Sequence, residues 1–314
     1  MTDRPVFVLA SFVVACSAKV RRLPRAGEAL AADIVTIEPG GKGFNLAIMA
    51  RRLGMTVNGV LAIGSDLAAT FAAPALARAD LPHDMLVEIA GPTGSGVCFT
   101  DAQGETRVAI ASGINLAVTR DHIRERSAAI AGSALTMAQF ETADEPIAEA
   151  FEIARRAGVP TLLNPSPFRP IEPDILRRTD ILIVNETEAG DFAAAIGCDP
   201  TGATDPARFI AELAPAIAAR GPELVVMTRG ASGAIAVPRN GMAISQAGIA
   251  VHTVDTLGAG DAFAATLGVG LARKHGLAEA LRHAAAAGAL TTTRHGVFDA
   301  LPTQEAINTL LARG

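Results

Sequence analysis

"DTLGAGDAFAATLGVGLA", Asp255 to Ala272, puts a turn of small residues, one carboxylate and a long apolar run into a single stretch. Gly258, Ala259 and Gly260 can turn successive backbone N–H groups toward one point, and a helix starting behind them adds the positive end of its dipole. Asp261 then falls in the first helical turn. A carboxylate there either satisfies the helix start or takes a proton beside an anion hole.

A second glycine-rich turn weighs on that choice. "EPGGKGFNLAIMARRLG", Glu38 to Gly54, places Gly40, Gly41 and Gly43 around Lys42. The glycines allow positive φ and close backbone approach. Apolar residues then recur at helical spacing, so this turn also opens a helix, with outward N–H groups. Asn45 adds a side-chain amide. No Gly-Lys-Ser/Thr follows, so it is not a Walker A loop. No GxGxxG is present, which counts against a nicotinamide-dependent oxidoreductase.

Around these turns, strand-like runs alternate with helix-like ones. "PVFVLASFVVA", "VNGVLAIG", "ALTMAQF", "VPTLLNPSP", "DILIVNE" and "ELVVMTRG" read as strands. "DEPIAEAFEIARRAG" and "DPARFIAELAPAIAARG" read as helices, as do residues 260–274, 277–293 and 303–312. That alternation predicts an α/β fold with a mostly parallel sheet and helices on both faces. "GEALAADIVTIEPGG" and "GSGVCFTDAQGETRVAIASGIN" break the rhythm. They read as short strands joined by turns, with "DAQGE" a hairpin turn. We expect a small β-sheet flap from about 11–39 and 95–112, on a single domain spanning 1–314.

Composition narrows the function classes. Half of the 314 residues are hydrophobic, so a large core needs no staples. There are 12 Phe but no Trp or Tyr, and the net charge is -5. Stacking platforms and a basic footprint for nucleic acid are both missing. Cys16, Cys98 and Cys198 are widely spaced and read as free thiols of a reducing cytoplasm. "RPVFVLASFVVACSAK" has the outline of a short secretory signal, but a continuous Val-rich run is also a buried parallel strand, which we prefer. It is too short for a membrane span of about 20 residues.

The two signatures in this order, "GGKGFN" and "DTLGAGDAF", resemble those of the ribokinase (PfkB-type) carbohydrate kinases. The resemblance runs over nearly the whole chain, through "PRAGEAL", "NPSP" at 164–167, "NETEAGDF" at 185–192, "TRGASGA" at 228–234 and "AAGALTTTRHG" at 286–296. It implies a three-layer α/β/α sandwich with a small β-sheet lid over a sugar site. It also implies an ATP-dependent kinase using Mg²⁺, with K⁺ at a side site. By the same resemblance Asp261 is the general base, and the N–H groups of Gly258, Ala259, Gly260 and Asp261 stabilise the transferring phosphoryl. Gly40, Gly41, Lys42, Asn45 and Glu141 hold the sugar. Asn185 and Glu188 organise Mg²⁺ and phosphates, with Glu188 acting through water. Thr228, Gly230 and Gly233 line the nucleotide. Asp255, with carbonyls of Leu257 and Arg294, resembles a monovalent-cation site. Family members pair through their lids, which implies a homodimer.

Several of these residues have plain structural readings. Asn185 and Glu188 form a fair helix-start sequence, Asp255 a turn, Glu141 a loop acid and Lys42 a surface charge. One departure stands out. Where the family's first lid strand carries an Asn and, two residues on, an Asp that grip the sugar, this chain has Val13 and Ala15. Ribose is therefore an unexpected substrate. A nucleoside, a sugar acid or another sugar remains open, as does a non-catalytic ligand-binding protein.

Overall fold

The computed structural model of the protein describes residues 4–103 and 106–313. In chain order its strands are β1 (Val6–Ala10), β2 (Val13–Lys19), β3 (Ile34–Gly40), β4 (Val57–Ile63), β5 (Leu86–Glu88), β6 (Gly94–Thr100) and β7 (Thr106–Ala111). There follow β8 (Leu135–Gln139), β9 (Thr161–Asn164), β10 (Ile181–Asn185), β11 (Leu224–Thr228), β12 (Ala234–Pro238) and β13 (Ile244–Gln246).

A nine-stranded sheet has the order β13-β12-β11-β10-β9-β8-β1-β4-β5. From β11 to β5 the strands run parallel, and β12 and β13 are antiparallel at one edge. Both faces are covered, which is why its strands read as unbroken apolar runs. Val6, Val8 and Ala10 pack toward one layer, which holds the helices Lys42–Arg52, Ala259–Ala272 and Leu277–Thr291. Phe7 and Leu9 pack toward the other, with the helices Asp144–Arg156 and Glu186–Ala195. Burying each such Leu or Phe contributes about 1.5–3 kcal/mol. This is the expected three-layer sandwich.

The small residues of the Asp261 helix have a packing reason. A Cβ on Gly268 would lie 2.8 Å from the Leu135 and Leu162 side chains, and one on Gly270 would lie 3.0 Å from Ala280. The helix therefore sits close against both the sheet and its neighbour.

β2, β3, β6 and β7 form a separate four-stranded sheet in the order β3-β2-β6-β7. Gly104 and Glu105 of the expected "DAQGE" turn lie outside the described residues. The flanking strands pair antiparallel, from Ser95 opposite Ala111 to Thr100 opposite Thr106.

Three expectations need correction. "PVFVLASFVVA" is two strands in two different sheets, not one. Ser11 and Phe12 break it because their backbones are bonded elsewhere. Phe44 N–H donates to the Ser11 carbonyl, and Asn115 holds both the N–H and the carbonyl of Phe12. "GEALAADIVTIEPGG" contains one strand, Ile34–Gly40, rather than several. "DPARFIAELAPAIAARG" is helical but contains a wide π-type turn over Phe209–Leu213, just before Pro215, which lacks an N–H. Among the described residues no helix is long and apolar enough to cross a membrane, and all three cysteines are free.

Candidate active site

β1 lies between β4 and β8, and the strand order reverses there, with β4 and β5 on one side and β8 to β13 on the other. In an open parallel sheet the crevice beyond the carboxyl ends of such a strand pair is where ligands bind. Ser11 follows β1 and Glu141 follows β8. Ser11 Oγ donates to Glu141 Oε2 at 2.6 Å, and the Lys42 N–H donates to the same oxygen at 2.8 Å. The Gly43 N–H donates to Ser11 Oγ at 3.1 Å. The GGKG turn is thus seated on the β1 exit. A Cβ on Gly41 would lie 2.5 Å from the Ser11 carbonyl oxygen, and one on Gly43 would collide with Ser11 N. Gly41 also has φ 110°, a region that side chains avoid.

Asp261 enters from the opposite side. Gly258 caps its helix in the left-handed region at φ 75°, and a Cβ there would lie 2.6 Å from Val297 Cγ1. The N–H groups of Gly260 and Asp261, in the first turn, have no intrahelical acceptor. Asp261 is 4% exposed, and Asn45 Nδ2 donates to its Oδ2 at 2.8 Å. Its side-chain bond therefore goes to another helix rather than to its own start. Burial pushes the Asp261 carboxyl above the usual aspartate range, against the Lys42 charge and the Asn45 bond. Asn45 Oδ1 is buried with no hydrogen-bond partner among the described residues. An acceptor in that state fits a ligand that brings a hydroxyl.

Lys42 lies within electrostatic reach of Asp261, Glu141 and Glu188. Burial alone would lower its pKa, but those carboxylates outweigh burial and raise it. Glu141, 2% exposed, is pushed up by burial despite Ser11 and Lys42. Glu141 is buried and Lys42 half-buried, and both line the same cavity, so neither is a solvated surface group.

A cavity of about 140 Å³ opens between these groups and the four-stranded sheet. Gly40, Gly41, Lys42, Asn45, Glu141 and Asp261 line it. Val13 and Ala15 line it too, so the wall that the sequence predicts to be apolar does face the cavity.

Farther along the carboxyl edge, Asn185 ends β10 and Thr228 sits directly beside it at the end of β11. Asn185 and Glu188 form a reciprocal capping box. The Glu188 N–H donates to Asn185 Oδ1 at 2.8 Å, and the Asn185 N–H donates to Glu188 Oε2 at 2.9 Å. The helix-start reading is therefore true of both, but it engages only one Glu188 oxygen; Oε1 lies outside the box. Hard oxygen donors of this kind suit Mg²⁺ or its waters. Gly230 (φ 51°) and Gly233 (φ 94°) shape the turn after Thr228; a side chain on Gly233 would strike the Gln246 carbonyl, whereas Gly230 faces open space. Asp255 accepts from the Leu257 N–H at 3.0 Å and from the Gly296 N–H at 3.1 Å. One oxygen thus ties the local turn and the other holds the segment at Gly296, 41 residues on, while the Arg294 side chain donates to the Asp299 carbonyl.

Reasoning from sequence missed Ser11, which bonds Glu141, and Glu38, which lines the cavity. Ser11 was legible as the one polar residue inside an apolar run. Glu38 was legible as the one acid in the strand that leads into the glycines.

A mostly parallel sandwich thus sets a buried carboxylate at a helix start, facing a cavity under a second sheet. The chain belongs to the pfkB family of carbohydrate kinases, whose sequence model matches residues 3–304. It is 30% identical over 280 residues to ribokinase of Haemophilus influenzae, covering 89% of each chain. It is 26% identical over 310 residues to deoxyribokinase of Salmonella typhi, covering 98% of each. The solved structure of Arabidopsis thaliana ribokinase complexed with ribose and ATP superposes with TM-score 0.86 at 25% identity, covering 98% of both chains.

Proposed function

We propose that the chain transfers the γ-phosphoryl of ATP to a hydroxyl of a small sugar, with Asp261 as the general base. The observation that carries this reading is Asp261, buried, held by Asn45 and set at a helix start that faces the cavity. A substrate hydroxyl beside Asp261 gives its proton to the carboxylate. Its oxygen forms the new bond to phosphorus as the bond from phosphorus to the ADP oxygen breaks. The N–H groups of Gly258, Gly260 and Asp261 meet the charge that develops on the phosphoryl oxygens, together with that of Ala259, which also donates a long 3.4 Å bond to the Thr256 carbonyl. Lys42 balances the surrounding carboxylates. The orphaned Asn45 Oδ1 and the backbone of Gly40 and Gly41 take sugar hydroxyls.

Thr228, Gly230 and Gly233 line the nucleotide in this reading. Asn185 and Glu188 hold Mg²⁺, which when bound neutralises phosphate charge. K⁺ is held by Asp255 with the Leu257 and Arg294 carbonyls; each Asp255 oxygen accepts one N–H and keeps a lone pair for a cation.

The apolar wall of Val13 and Ala15 favours a substrate that presents carbon there, such as a deoxy sugar or a nucleoside. The outer face of the four-stranded sheet exposes Val35, Ile37 and Val97, and the proposed homodimer forms through that lid face.

The deciding experiment measures ADP release with a panel of pentoses, deoxy sugars, hexoses, sugar acids and nucleosides. Turnover with at least one compound, abolished by Asp261→Asn, is the expected result. Binding of a panel compound without any ADP release would instead support a non-catalytic ligand-binding protein.

A further inference from the structure

One carboxylate on the cavity side of the four-stranded sheet has no part in the transfer described above. Strand residues two apart share a face. Across the sheet the register forms the row Glu38, Ala15, Gly96, Ile110, and all four line the cavity. Glu38 is the only ionisable group in that row. Its neighbours leave it free space, because Ala15 is a methyl and a Cβ on Gly96 would meet nothing closer than 3.5 Å.

The other side of Glu38 faces the main body. A Cβ on Gly296 would lie 2.6 Å from Glu38 Oε2, so the absence of a side chain there makes room for the carboxylate. Among the described residues Glu38 forms no ion pair. The nearby Arg78 is engaged with Asp299.

We propose that Glu38 is a specificity-determining residue, which accepts hydrogen bonds from hydroxyl groups of a neutral sugar and excludes anionic ones. This inference rests on the sugar-kinase reading. An ionised carboxylate is an acceptor only, with two oxygens that suit hydroxyl donors. Directly beside it Ala15 offers no polar partner, and Ser17 and Cys98 on the same face are neutral, so Glu38 is the charged acceptor of this wall. The charge balance points the same way. Glu38, Glu141 and Asp261 line the cavity against one ammonium, that of Lys42. A sugar acid or sugar phosphate would bring another negative charge among them, a repulsive element that selects against it.

The test compares wild type, Glu38→Gln and Glu38→Ala with neutral sugars, the matching deoxy sugars, sugar acids and sugar phosphates. Unliganded melts establish that each variant is folded; Gln is nearly isosteric and guards against misfolding by Ala. For the best neutral sugar, Glu38→Ala should raise KM about tenfold or more, with kcat within about threefold, and Glu38→Gln should fall between. A deoxy analogue lacking the recognised hydroxyl should lose little in either variant. The sugar-induced shift in melting temperature, read in parallel, tests Glu38 even without turnover. Absence of turnover in wild type alongside a Glu38-dependent shift would sink the kinase reading and keep this one. Unchanged KM and shift in both folded variants would overturn the role of Glu38, as would a sugar acid being the best wild-type substrate or no neutral sugar binding at all.

Discussion

Asn45 Nδ2 donates a 2.8 Å hydrogen bond to Asp261 Oδ2, joining two helix starts that lie 216 residues apart in the chain. The bond aims the carboxylate into the cavity and leaves Asn45 Oδ1 without a partner. One side chain thus orients the proposed base and presents an acceptor to the substrate.

Asp261→Asn keeps the size of the side chain but cannot take a proton. Turnover should fall by about 10²–10⁴-fold, with the melting temperature and nucleotide binding preserved. Wild-type turnover in the folded variant would remove Asp261 from the mechanism.

The pH profile follows from the same burial. Asp261 works only when deprotonated, and burial raises its pKa above the ordinary 3.8. The rate should therefore be lost as pH falls through a value above the usual aspartate range. Asn45→Ala removes a bond that lowers this pKa, so the acid limb of kcat/KM should move to higher pH. A limb that stays in place would mean that Asn45 does not tune the base.

Glu188→Gln separates the two roles of that residue. Glutamine can still accept the Asn185 N–H, so the helix start survives. The lost charge should show as a higher Mg²⁺ requirement in a metal titration of the rate. An unchanged titration would leave Glu188 as a capping residue only.

Gly258→Ala tests the turn. An alanine in the left-handed region costs about 1–2 kcal/mol, and its Cβ would also meet Val297. Lower melting temperature and lower turnover are expected. Adding Val297→Ala should recover part of the melting temperature, since it removes the contact but not the backbone strain.

Ribose should be a poor substrate, by about ten- to a hundredfold against the best compound. A hydroxyl set against Val13 and Ala15 loses water without gaining a partner, at about 1–3 kcal/mol. Val13→Asn with Ala15→Asp supplies partners, but Asp at 15 would stand directly opposite Glu38, and like charges in that position repel. The double variant should therefore melt lower than wild type and gain ribose activity only when Glu38→Ala is added. Efficient phosphorylation of ribose by wild type would show that the wall was misread.

The local chemistry of this chain was legible without coordinates. The two glycine turns announce helix starts because glycine, cation and carboxylate act over a few residues, where backbone sterics and the helix dipole operate. Strand-helix alternation announces the parallel sheet for the same reason, since burial on both faces writes itself as apolar runs such as "ILIV" in β10. The break at Ser11 was hidden, because its cause, Phe44 and Asn115 taking the backbone, lies 33 and 103 residues away.

By itself, then, the sequence determined the class of fold, the two helix starts and the residue types available for phosphoryl transfer, since each is a matter of local period and side-chain chemistry. Only the tertiary structure decided that Asn45 grips Asp261, that Ser11 and Glu141 close the crevice between β1 and β8, and that Glu38 faces the same cavity as Ala15. Those pairings depend on strand register and on how closely the glycines let backbones approach, and both are set by contacts between segments remote in the chain.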